Sequence, residues 1–215
     1  MAGRLQDKIA LVVGAGSIGP GWGNGKATAV LFAREGAKVV CADVNEDAAN
    51  ETVQIIRQEN GMANAVRADV TSHDDIRRMV DACLDVYGRI DVVDYNVGLA
   101  HVGGVVELPE EEWDRIFAVN LKGCFLTMKH IIPIMEKQGG DSIINISSVA
   151  GIRYTGVPYS TYYATKGSDD PPDAHHCRAV RAETHQGERG PPRSYEDTDG
   201  REDCRARCRI WQRRH

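Results

Sequence analysis

The chain lacks any apolar run approaching the roughly 20 residues of a membrane span. Its opening Met-Ala-Gly-Arg-Leu-Gln-Asp lacks the hydrophobic stretch of a secretory leader. No membrane partner is therefore expected, and a cytoplasmic location is. It also lacks a basic stripe; the net charge is −5, which argues against nucleic acid as a partner. Cysteines are few. Cys41, Cys83 and Cys124 are scattered through apolar stretches and read as reduced core thiols. His175, His176 and Cys177 with Cys204 and Cys208 match no common zinc spacing, so no metal site is expected. The sharpest deficit is local. Residues 167–215 carry 10 Arg, no Lys and 10 Asp+Glu, and among large aliphatics and Phe only Val180 and Ile210. So little apolar surface cannot offset chain entropy, and disorder is expected there. Residues 1–166 are read as one domain and 167–215 as a tail.

What is present before residue 167 alternates. Ile9 to Val13 is a short apolar run ending in glycine, the mark of a buried parallel strand. A helix over 26–35 stopped by Gly36, a strand over 37–42 ending at Asp43, a helix over 46–58 and a strand near 63–68 follow. A helix over 73–87, a strand over 90–95, a helical stretch from about 110 to 137 bent before Pro133, and a strand over 142–146 complete the series. Strands alternating with helices imply right-handed crossovers and a parallel sheet covered on both faces. The expected class is α/β: a doubly wound, Rossmann-like three-layer αβα fold, truncated at its C-terminal end.

Gly14-Ala15-Gly16-Ser17-Ile18-Gly19 matches G-x-G-x-x-G between a strand and a helix. Glycines let the backbone approach a pyrophosphate closely, and the helix N-terminus supplies amide donors and a favourable dipole. The loop is long, and Gly23 and Gly25, directly before the helix, are as good candidates for phosphate contact as Gly16 and Gly19. Asp43 closes the next strand, where its carboxylate can accept hydrogen bonds from both ribose hydroxyls of NAD and repel the extra phosphate of NADP.

Tyr162 and Lys166, four residues apart, share one helix face. A phenol ionises near pH 10, about, and is a poor base at neutral pH. A nearby ammonium favours its phenolate form. From about residue 5 to 166 the chain resembles the short-chain dehydrogenase/reductase family. The resemblance is carried by the Gly14–Gly25 loop, Asp43, Asp69-Val70, Asn96-Val97-Gly98, Asn120, Ser147-Ser148-Val149-Ala150-Gly151 and Tyr162-x-x-x-Lys166. It implies an NAD-dependent oxidoreductase moving hydride between nicotinamide and a secondary alcohol or ketone, a small-molecule substrate. In that reading Tyr162 exchanges the proton, Lys166 also holds the nicotinamide ribose, Ser148 hydrogen-bonds the substrate oxygen and Asn120 anchors a water. Asp69 and Val70 lie beside the adenine, and Asn96, Val97 and Gly98 beside the cofactor, as do Gly14, Gly16, Ser17, Gly19, Gly23 and Gly25.

The sequence departs from the family at three points. Tyr95 stands where a first asparagine is usual, Asp94 puts a carboxylate into a strand expected to be buried, and Val13 replaces a common Thr. The family continues after its lysine with a longer helix, a sixth strand, a substrate loop and a seventh strand. Residues 167–215 supply none of these, and Pro171-Pro172 would break the helix. The homo-oligomers of the family would lack their full interface here, and a nucleotide-binding remnant without turnover is the alternative. An out-of-frame reading explains the tail. Read one nucleotide later, Gln186 to Asp199 permit R-V-N-A-V-L-P-G-L-M-K-T-P-M, and His175 to Val180 permit T-I-A-V-Q-Y. Coding DNA that, shifted by one base after the codon for Lys166, runs into polar residues or early stops refutes this.

Overall fold

A computed structural model describes residues 3–139 and 142–168. The expectations for the chain beyond Ser168, namely disorder, the Pro171-Pro172 break, the zinc-like cluster and the out-of-frame tail, lie outside the described residues.

Five parallel strands, β1 (Ile9–Val13), β2 (Lys38–Asp43), β3 (Met62–Arg67), β4 (Val92–Tyr95) and β5 (Ser142–Asn145), form one sheet in the order β3-β2-β1-β4-β5. Helices α1 (Asn24–Arg34), α2 (Glu46–Gln58), α3 (His73–Tyr87), α4 (Glu110–Phe117), α5 (Gly123–Lys137) and α6 (Ser160–Ser168) connect or follow them. The expected doubly wound α/β class is what the chain adopts. Strand side chains alternate between two cores, as a sheet covered on both faces requires. Leu11, Val13, Val40 and Val93 join Ile76, Met79 and Ile131 on one face, and Ala10, Val12, Val39 and Cys41 join Val30, Val53 and Ile56 on the other. Each fully buried Val, Leu or Ile contributes about 1.5–3 kcal/mol.

Helix ends follow local chemistry. The Asn45 side chain accepts from the amides of Asp47 and Ala48, and that of Ser72 from Asp75. Glu110, Glu111 and Glu112 fill the positive first turn of α4, while Gly88 closes α3 in the left-handed region at φ 76°. α1 begins at Asn24 rather than Lys26 because the glycine loop already turns into helix after Gly23. The 110–137 stretch is not one uniform α-helix: a π turn at Ala118–Lys122 separates α4 from α5, and α5 continues through Pro133. Asn120 within that turn is held by the chain after β4, which fixes the extra residue there.

The register levels the strand ends. Val13 pairs with both Ala42 and Tyr95, and Tyr95 with Asn145. Gly14, Asp43, Asn96 and Ile146 therefore leave the sheet side by side at its C-terminal edge. The order in which successive strands are added reverses between β1 and β4, which makes the crevice where such folds bind ligands. Among the described residues no helix is long and apolar enough to cross a membrane.

Candidate functional site

That edge opens into a crevice of about 820 Å³. Its glycine wall is built by close approach. A β-carbon on Gly25 would lie 1.9 Å from the Gly14 carbonyl oxygen, so only glycine fits there. Gly14 takes φ +83°, and its amide donates to Ala42 O at 2.8 Å. A β-carbon on Gly16 would meet Asp43 Oδ2 at 2.8 Å. Gly23 caps α1 without any side-chain acceptor, so the first-turn amides have no side-chain cap, and Gly23, Asn24 and Gly25 border the crevice. Gly19 borders the crevice too, but a β-carbon there would meet nothing within 4 Å. The cradle is thus made by Gly14, Gly16, Gly23 and Gly25, and Gly19 belongs to an outer loop. Thr52 of α2 clamps the cradle from behind, its hydroxyl donating to Ala15 O at 2.8 Å.

Asp43 is half-buried at the strand end. Its Oδ2 accepts the Gly16 amide at 2.9 Å and its Oδ1 the Asn45 amide at 3.0 Å, which orients the carboxylate and leaves lone pairs for a ligand. Val70 is buried beside Asp69, whose Oδ1 accepts the Thr71 amide at 2.8 Å. Both border the crevice, as do Ser17, Asn96, Val97 and Gly98.

The opposite wall carries the polar side chains. α6 presents Tyr162 and Lys166 to Gly98, where a β-carbon would stand 3.4 Å from Lys166 Cε and 3.9 Å from Tyr162 Cε2. Lys166 is only 3% exposed and donates to Ile146 O at 2.7 Å, so the chain end of β5 aims its ammonium. Of the two serines after β5, Ser147 donates to Lys166 O at 3.1 Å and is tied to the α6 backbone. Ser148 accepts the Ala150 amide at 3.1 Å and keeps its proton to give. Tyr163 is bound to its own loop through Thr155 and Val157 O. Tyr159 packs edge-on against Tyr162 at 5.9 Å between ring centres.

Asn120 is buried, and its side chain is committed. Oδ1 accepts the Leu99 amide at 2.8 Å, and Nδ2 donates to Leu99 O at 2.9 Å and to Thr165 Oγ1 at 3.0 Å. It laces α4–α5, the segment after β4 and α6 together; π turns of this kind are frequent at functional sites. Thr165 and Thr52 were not singled out from the sequence, and only the spacing of Thr165 next to Lys166 could have hinted at a role. The departures on β4 are accommodated. The Tyr95 hydroxyl crosses the core to donate to Val119 O at 3.1 Å, and Asp94, 1% exposed, accepts from Asn96 Nδ2 at 3.0 Å. Burial pushes the Asp94 carboxyl above the usual range, against the lowering by Asn96. Among the described residues no group of three or more His, Cys, Asp or Glu could hold a metal ion.

This arrangement has close counterparts. The family model for short chain dehydrogenases matches residues 8–168. An uncharacterized oxidoreductase of Bacillus subtilis, YxbG, is 42% identical over 166 residues, 77% of this chain and 58% of its own. A short-chain dehydrogenase/reductase from Burkholderia xenovorans superposes with a TM-score of 0.75 at 44% identity, over 78% of this chain and 66% of that one. A 7α-hydroxysteroid dehydrogenase solved with NADH and 7-oxo glycochenodeoxycholic acid superposes with a TM-score of 0.71 at 33% identity, over 77% and 62%. The chain spans 58–63% of the length of the first curated relatives it matches. From Lys8 to Ser168, this chain belongs to the short-chain dehydrogenase/reductase family.

Proposed function

We propose that residues 1–166 form the NAD-binding and proton-transfer half of an oxidoreductase that interconverts a secondary alcohol and a ketone. The observation that carries this is the convergence of Tyr162 and Lys166 on Gly98, across the crevice from the glycine cradle. The residues fit a dinucleotide: a cradle that a β-carbon would fill, uncapped helix amides and an oriented strand-end carboxylate. Gly14, Gly16, Gly23 and Gly25 would hold the pyrophosphate, with Ser17 and Gly19 at its outer side. Asp43 would take the adenosine ribose hydroxyls, Asp69 and Val70 the adenine, and Asn96, Val97 and Gly98 the remainder. Asp43 favours NAD over NADP by charge. Bound nicotinamide supplies the hydride chemistry.

The protein's own groups manage the substrate oxygen. Tyr162 exchanges a proton with it, Ser148 donates a hydrogen bond to it, and Lys166 places a positive charge beside the tyrosine and the ribose. Both Asn120 Nδ2 protons are taken, which holds Leu99 and α6 in register, and a water anchored at this side chain would donate to Oδ1, which keeps a lone pair. A second reading rests on one fact: the family match stops at residue 168 while the chain runs on to His215. In that reading the chain binds dinucleotide without turnover. NADH titration separates these, combined with NAD reduction on a panel of cyclic secondary alcohols. Binding with turnover, lost about 10²–10⁴-fold in Tyr162→Phe, supports the first. Binding without turnover supports the second, and no binding sinks both.

A further inference from the structure

Two histidines meet away from the crevice. His73 opens α3 and His130 lies in α5, and their Nε2 atoms stand 3.1 Å apart with the rings edge to face. Neither borders the crevice. The helices beneath them share a core, in which Ile76, Met79 and Cys83 of α3 join Cys124, Ile131 and Met135 of α5. The fold itself therefore brings the two rings together. His73 is exposed and His130 half-buried, so a solvated ion can reach both. A ring-to-ring hydrogen bond here replaces bonds to water and gains little. Two imidazole nitrogens at this spacing are, however, a ligand pair. With metal–nitrogen distances of about 2.0–2.1 Å, a 3.1 Å separation gives an N–metal–N angle of about 100°. That lies between the octahedral and tetrahedral values. The neighbouring cations have other partners: Arg77 pairs with Asp74 at 3.4 Å, and Lys129 lies over the Phe125 ring. Asp81, two turns along the same face of α3, adds negative charge beside His130.

We infer that His73 and His130 form a cross-helix site for a divalent transition ion such as Zn²⁺ or Ni²⁺, each ring giving its Nε2 lone pair and water completing the shell. Imidazole suits these ions, whereas Mg²⁺ and Ca²⁺ take oxygen ligands. Binding moves one ring proton from Nε2 to Nδ1, with no net release. The ion ties α3 to α5 and stabilises the folded form in proportion to its affinity. The site stands apart from the crevice and does not depend on what the crevice holds.

The full-length chain, without an affinity tag and stripped with EDTA, is melted with Zn²⁺, Ni²⁺ or Mg²⁺ added. At a hundredfold excess over Kd, Zn²⁺ or Ni²⁺ should raise the melting temperature by about 5–10 °C, and Mg²⁺ should leave it unchanged. His73→Gln and His130→Gln each keep every other His and Cys of the chain, so metal bound elsewhere is common to all three proteins. Each variant should lose the shift. In the parent, Zn²⁺ should also move the imidazole NMR resonances of His73 and His130 together, a reading that needs no variant to fold. Absence of any shift at millimolar Zn²⁺ and Ni²⁺ would overturn the inference. So would a shift kept in full by either variant, which places the ion elsewhere, or resonances of the two rings that stay put.

Discussion

On the β1–β2 side of the sheet, Ile9 to Val13 and Val39 to Ala42 are buried and apolar without exception, whereas β4 buries Asp94 and Tyr95 next to two valines. The first side needs little beyond area: alternate residues fill two cores, and the glycine cradle follows from backbone proximity. The second is held by polar groups with defined partners, Tyr95 to Val119, Asp94 to Asn96, and Asn120 to Leu99 and Thr165. The cradle must let a ligand approach the backbone. In the proposed function the other wall holds Tyr162, Lys166 and Ser148 at fixed mutual positions, and directional bonds do that better than apolar packing does. Substitutions should therefore act through sterics on the first side and through unpaired groups on the second.

The largest effect is expected on the cradle. Gly25→Ala forces a β-carbon into the space 1.9 Å from Gly14 O, and because that atom is backbone the strand end must move. NADH binding should fall below detection in a fluorescence titration, with a melting temperature lowered as well. A variant that binds within threefold of the parent would mean the loop is not the rigid element described.

Asn120→Ala probes the other wall. It strips partners from the Leu99 amide and carbonyl and from Thr165 at once, and each buried group left unpaired costs about 1–3 kcal/mol. Stability by urea denaturation should drop by about 3 kcal/mol or more, a sum over several such groups. A loss below about 1 kcal/mol, the cost of one ordinary hydrogen bond, would show that the lacing is dispensable.

The same contrast governs what the sequence discloses. β1, α2 and α3 are legible to the residue, because apolar periodicity and caps at Asn45 and Ser72 mark them. Gly14, Asp43, Tyr162 and Lys166 are legible by spacing, since each lies at a strand end or one helical turn from its partner. The π turn is not legible: it is fixed by Asn120 bonding to Leu99 and Thr165, 21 and 45 residues away. Asp94 reads as an anomaly until its partner Asn96 and the Tyr95 crossing to Val119 are seen. The burial of Lys26 is likewise not legible, because it depends on Glu51 of α2 and the Gly21 carbonyl closing on it.

Tyr95→Phe tests the directional bond to Val119 O. Removing the hydroxyl leaves Val119 O without that donor while the ring still fills its place, so the cost should be about 1 kcal/mol. The same change leaves the cradle untouched, and NADH affinity should hold. A fall in affinity greater than about threefold would couple the two sides of the sheet more tightly than their separate construction implies; that factor corresponds to about 0.6 kcal/mol.

The smallest effect has the most specific signature. Asp94 is buried with its carboxyl pushed above the usual range, chiefly by desolvation. A folded-state value raised above the unfolded one means the native protein holds this proton more tightly than the unfolded chain. Its contribution to stability is therefore complete below the unfolded value near 3.8 and is lost as pH rises through the folded value. Asp94→Asn keeps the shape and an oxygen to accept from Asn96, but it carries no charge to bury. The variant should melt higher than the parent at pH 8, by less than about 4 °C, the shift worth roughly 1 kcal/mol in a domain of this size. The gap should narrow as pH falls toward 4. A difference that stays constant across that range would assign the change to packing, and a variant less stable at pH 8 would show that the charged form is the one β4 is built around.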